Sequence, residues 1–168
     1  MTLSLTFLQA VWFLPFVLPI GIWVAMSDLR DMRIPNVAVL ALTAVFVVGG
    51  LILLPIDSFL WRLAQLAVVL VIGFVITSLG LVGAGDAKFA AAMAPFVAPG
   101  DGMFFLLLFS MVLVGSWVTH RGASRVTAVR RVTPDWASWD QGKLFPMGVA
   151  LAGALLIYLA LGLQYGAA

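Results

Sequence analysis

Aspartate is the only acidic residue in this chain: it occurs seven times, and glutamate is absent. Asp57 and Asp101 sit in Pro- and Gly-rich breaks, where a short acceptor side chain is ordinary turn chemistry. Asp135 and Asp140 fall in the one sizeable polar stretch. Asp28, Asp31 and Asp86 stand instead at or near the ends of long apolar segments. Two carboxylates held at similar depth by distant parts of a chain can share a proton, activate a water and polarise a carbonyl. Asp28 and Asp86 are therefore the candidate pair, and Asp31, three residues further into its loop, is the more exposed.

Asp86 follows Gly83-Ala84-Gly85. Glycines there open backbone conformations closed to other residues and let a second chain approach the main chain, as an extended substrate requires. The competing interpretation is structural: Asp86 as an N-cap, with the glycines making a turn. Asp28 has one too, as a juxtamembrane residue paired with Arg30 or Arg33. Lys88 either acts on Asp86 or marks the cytoplasmic edge. His120 ends an apolar segment and is read as interfacial. With no cysteine and a single histidine, no disulfide, iron–sulfur cluster or metal site is expected, and no cofactor.

The elements that position these residues are membrane spans. Of the 168 residues 64% are hydrophobic and 10% charged, far too little polar surface for a soluble domain. The apolar runs are long and weakly alternating, which excludes a β-barrel and predicts an all-α polytopic membrane protein. Six transmembrane helices are expected, over 4–26, 34–54, 59–82, 86–98, 102–119 and 144–164, in a single domain covering 1–168. Pro35 opens the second, Ser58 is placed to cap the third, and Pro99-Gly100-Asp101-Gly102 turns the chain between the fourth and fifth. The first segment has no Lys or Arg before Arg30, so it lacks the basic start of a cleaved signal peptide and is read as a retained span.

Six crossings put three loops on one face, and these hold Arg30, Arg33, Lys88, Arg121, Arg125, Arg130, Arg131 and Lys143, eight of the nine basic residues. By the positive-inside rule that face is cytoplasmic and both termini are outside. Arg62 alone falls on the other side, where its stem can snorkel to headgroups. The stretch 120–143, with Trp136 and Trp139 among its arginines, is expected as a cytoplasmic loop, either at headgroup level or mobile. Asp86 lies 13 residues before Pro99, about 20 Å as helix against roughly 30 Å of hydrocarbon, hence on the order of 10 Å inside the inner interface. An ionisable residue at that depth is a functional candidate. The alanines at 87, 90, 91, 92 and 94 allow neighbouring helices to come close.

Three elements together resemble the type IV prepilin peptidases. Asp28-Leu29-Arg30-Asp31-Met32-Arg33-Ile34-Pro35-Asn36 is similar to that family's first aspartate motif. Gly83-Ala84-Gly85-Asp86-Ala87-Lys88 resembles its GxGD signature followed by lysine, and Phe145-Pro146-Met147-Gly148 a Pro-x-Gly element near the C-terminus. The resemblance implies an intramembrane aspartyl endopeptidase of the bacterial cytoplasmic membrane. Its substrates would be prepilin-like proteins, cut at a short basic leader on the cytoplasmic face. Asp28 and Asp86 would be catalytic, and Gly83, Gly85 and Lys88 would form the active-site loop. The partners expected are leader peptides and lipid, with no nucleic acid. Long forms of the family carry a further region with paired Cys-x-x-Cys motifs, linked to N-methylation; this chain resembles the short form. The N-terminus of the fourth span favours negative charge on Asp86. Outside the family, paired membrane aspartates also suit a proton-coupled transporter, and the fold alone would suit a non-catalytic assembly subunit.

Overall fold

A computed structural model of the chain describes residues 2–142 and 144–167. Five helices are long and apolar enough to cross a membrane: α1 (Phe7–Asp31), α2 (Asn36–Leu53), α3 (Ile56–Ser78), α5 (Gly102–Ala123, with the turn before it) and α7 (Met147–Tyr165). The protein is an all-α polytopic membrane protein, as its apolar periods require. The expected fourth span is different in kind. It is a short helix, α4 (Ala84–Met93), continued by a 3-10 turn over Ala94–Phe96 and a second over Pro99–Asp101. Pro95 and Pro99 lack the N–H that would continue an α-helix, so the ladder breaks where they stand.

The other boundaries shift by a few residues. Thr6 caps α1, its hydroxyl accepting from the Gln9 N–H at 3.2 Å. The residues before it, Leu3–Thr6, form a strand β1 that pairs in parallel with β2 (Gly166–Ala167). This small sheet has no signature in the hydropathy. α3 starts at Ile56 behind Pro55, with Asp57 in its first turn, so Ser58 is not its cap. α1 runs on through Asp28 to Asp31, and Met32 closes it in the left-handed conformation (φ 52°), its N–H donating to the Asp28 carbonyl.

β1 and β2 bring the two chain ends together, beside the Pro99–Asp101 turn. The opposite end of the bundle carries Asp28, the Gly83–Asp86 loop and the start of α7. The core between them is aromatic and small-residue packing. Phe96, in the break after α4, meets Phe13 of α1 at 4.9 Å and Phe46 of α2 at 5.4 Å, and Phe46 stacks on Phe59 of α3. α4 buries Ala87, Ala91 and Ala92 among α2, α3 and α7, the close approach that small residues permit in lipid.

A break inside a bilayer frees backbone groups that must find partners within the protein. Here Arg62 supplies two of them and Tyr158, held by Asp101, a third, and both charged residues differ from their reading in the sequence. Arg62 is only 4% exposed. It does not snorkel, and its guanidinium donates to the Pro95 and Phe96 carbonyls (3.3 and 3.4 Å) and to Gln9 Oε1 (3.2 Å). Asp101 is equally buried and is no plain turn residue. It accepts from the Ser4 and Leu5 N–H groups and from the Tyr158 hydroxyl, while that hydroxyl accepts from Ala98 N–H. Together they tie α1, α3, α7 and the break into one unit.

The stretch 120–143 is folded where it is described, with Lys143 outside the described residues. It holds a short helix, α6 (Thr127–Val132), and a 3-10 turn over Ala137–Trp139 that packs on α1. His120, in the last turn of α5, is buried within the protein, stacked on Trp139 at 4.8 Å, and Trp139 stacks in turn on Trp136. Arg130 pairs with Asp140 at 2.8 Å.

Candidate active site

Asp28 lies in the last turns of α1 and is 5% exposed. Its carboxylate accepts from the backbone N–H of Gly148 at 2.6 Å, at the start of α7. That N–H has no partner within its own helix and points at the carboxylate, so the helix end acts as an anion seat. The contact demands glycine: a Cβ at 148 would lie 2.9 Å from Asp28 Oδ2 and 3.1 Å from its Cβ. Among the described residues Asp28 has no ion pair, so neither Arg30 nor Arg33 neutralises it.

Asp86 stands in the first turn of α4, whose N-cap position is Gly83. It is therefore not the capping residue itself. Gly83 leaves room for the carboxylate: a Cβ there would come within 2.7 Å of Asp86 Oδ2, which would have to turn away. Gly85 faces Ile34 of the loop between α1 and α2. That loop is turned by the left-handed Met32 and tied down by the Ser27 hydroxyl, which donates to the Arg33 carbonyl at 2.9 Å. A non-glycine residue in this conformation carries about 1 kcal/mol or more of strain, held here beside the carboxylates.

Asp28 and Asp86 line one cavity of about 310 Å³, with Met32, Arg33, Asn36 and Lys88 among its other walls. All the residues expected to form the site are thus brought together: Asp28 and Asp86, Gly83 and Gly85, and Lys88. Lys88 reaches Asn36 Oδ1 at 3.5 Å, a long contact at the mouth of the cavity. Asp31 does not join them; it is exposed and is not among the cavity walls. Two residues enter the site that spacing alone did not assign to it. Asn36 had its signal in the Ile-Pro-Asn element, and Gly148 in the Pro-Met-Gly element. What the sequence lacks is any mark that Gly148 touches Asp28, 120 residues away.

Two carboxyls in one partly buried cavity cannot both ionise cheaply, so such a pair holds one proton and titrates jointly. Among the described residues no group of three His, Cys, Asp or Glu side chains is arranged to hold a metal ion.

The family model described as the type IV leader peptidase family matches residues 15–119, which include both aspartate motifs. No curated protein and no solved structure matches the chain significantly.

Proposed function

The chain belongs to the type IV leader peptidase family, and on that premise we propose that it is an aspartic endopeptidase whose catalytic pair is Asp28 and Asp86. Its substrates on this reading are prepilin-like proteins of the bacterial cytoplasmic membrane, cut at the junction with a short basic leader on the cytoplasmic face. The observation that carries the proposal is the shared cavity of the two carboxylates, built from both motif loops.

The ionised member of the pair takes a proton from water as the oxygen attacks the scissile carbonyl. The protonated member donates to that carbonyl oxygen as the tetrahedral intermediate forms. Collapse then breaks the C–N bond, and the leaving amine takes a proton from the pair. Each aspartate stands by a helix N-terminus: Asp28 takes the Gly148 N–H at 2.6 Å, and Asp86 lies against the backbone N–H of Gly83. The short Gly148 contact supports Asp28 as the seat of the negative charge and Asp86 as the proton donor, the reverse of what the start of α4 suggests by itself. Gly83 and Gly85 leave room for an extended substrate backbone, and Lys88 with Asn36 lines its approach.

Co-expression with a prepilin carrying a short basic leader tests the proposal. The wild-type protein should shorten the prepilin by the length of its leader, and Asp86→Asn should leave it intact while accumulating normally in the membrane. Processing by Asp86→Asn would remove the aspartate pair as the basis of activity.

A further inference from the structure

At the end of the bundle away from Asp28, a polar cavity of about 640 Å³ lies between the start of α3, β1 and the Pro99 turn. Ser4, Gln9, Ser58, Arg62 and Gln65 line it, with the exposed Trp61 on its lipid side. No carboxylate stands on its wall.

Arg62 gives this cavity its charge. From Ile56 to Arg62 is about 9 Å of helix, which sets the guanidinium near the boundary between headgroups and acyl chains. It is buried among neutral partners, the Pro95 and Phe96 carbonyls and Gln9 Oε1. A guanidinium has five N–H donors, so these contacts leave at least two without an acceptor among the described residues. The Gln9 amide nitrogen, also buried, donates to nothing among them. Asp101 is near enough to act on Arg62 but forms no ion pair with it. Its oxygens accept from Ser4, Leu5 and Tyr158 instead. A buried cation held only by dipoles, with donors to spare, favours an anion beside it.

A neighbouring cavity indicates what carries that anion. It has a volume of about 470 Å³ and is almost wholly apolar, with Val68, Phe105 and Leu106 on its walls. The two cavities share Trp61 and Gln65. We propose that together they hold one anionic phospholipid, its phosphate on Arg62 and Gln9 and an acyl chain along the apolar wall. The planar fork of arginine matches phosphate oxygens, and basic pockets between membrane helices recognise phospholipid heads in this way. A free phosphate would have no use for the apolar compartment, and a lipid without net charge would leave Arg62 uncompensated. The site is remote from the aspartate cavity and does not depend on the peptidase reading.

Native mass spectrometry of the purified protein in detergent tests this, with phosphatidylglycerol, phosphatidylcholine or inorganic phosphate added in turn. Ser58 is the position to vary, because it is exposed at the cavity and caps no helix, whereas Arg62 also holds the break after α4. Ala128→Glu, exposed on α6 at the other end of the bundle, controls for charge alone. The wild-type protein and Ala128→Glu should each retain one phosphatidylglycerol. Ser58→Glu should weaken retention about tenfold, the effect of a like charge roughly 10 Å from the phosphate at an effective dielectric constant of about 20. Ser58→Lys should strengthen it, a gain that misfolding could not produce. Equal retention of phosphatidylcholine, or the same affinity in the Glu and Lys variants, overturns the anionic site. Inorganic phosphate bound as tightly as phosphatidylglycerol overturns the lipid as its occupant.

Discussion

The backbone N–H of Gly148 donates to Asp28 Oδ2 at 2.6 Å, joining the first long helix to the last across 120 residues of sequence. A side chain at 148 would strike the carboxylate it now holds. Gly148→Ala should therefore displace Asp28 and lower kcat, with the protein still inserted. A displacement on the order of 1 Å can cost roughly a hundredfold in rate. Steady-state cleavage of a prepilin in detergent or vesicles measures it, and unchanged kcat would show that the contact does not position the aspartate.

Asp28→Asn and Asp86→Asn keep shape while removing the shared proton, so each should abolish processing. Since the two act as a unit, the double variant should be no worse than either single one. Asp31 is exposed and outside the cavity, and Asp31→Asn should retain substantial cleavage. The four variants are compared by the fraction of prepilin shortened at equal expression; loss of activity in Asp31→Asn alone would move the catalytic assignment.

At the far end of the bundle, Tyr158→Phe removes the hydroxyl that bridges Asp101 and the Ala98 N–H. Leaving buried partners unsatisfied should destabilise the protein by about 1–3 kcal/mol. Thermal unfolding in detergent reads the loss. Cleavage at a temperature where the variant is folded should persist, because the aspartate cavity lies at the other end. An unshifted melting temperature would mean that the cluster does not hold the break in place.

The basic residues predict the sidedness. In intact cells an impermeant thiol reagent should label Ser58→Cys and spare Ser124→Cys. Equal labelling of the two would reverse or abolish the assigned orientation.

Processing should be indifferent to chelators, because an aspartate pair needs no metal and the chain has no cysteine and one histidine. Activity lost with a chelator and restored by zinc would displace the aspartic mechanism.

Much of the candidate site was legible in advance because its residues announce themselves chemically. Carboxylates beside long apolar runs are costly, and the Gly-Ala-Gly before Asp86 marks a place where a second chain can approach the backbone. The five long helices were equally legible, since a span must be continuously apolar for about 20 residues. Arg62 and Asp101 were misread for one reason. Each stands near a segment end, where an exposed residue and a buried one look alike, and only their partners distinguish them.

Composition and pattern alone determined that this chain lives in a bilayer, crosses it with helices, and carries two motif aspartates on one face. Those are local properties: each follows from the run of residues around it and from the thickness of hydrocarbon. Tertiary structure decided which groups meet. It placed Gly148 on Asp28 and Arg62 on the carbonyls freed after α4. Such contacts join residues tens of positions apart, and their energies depend on helix rotation and approach, which no single segment of sequence encodes.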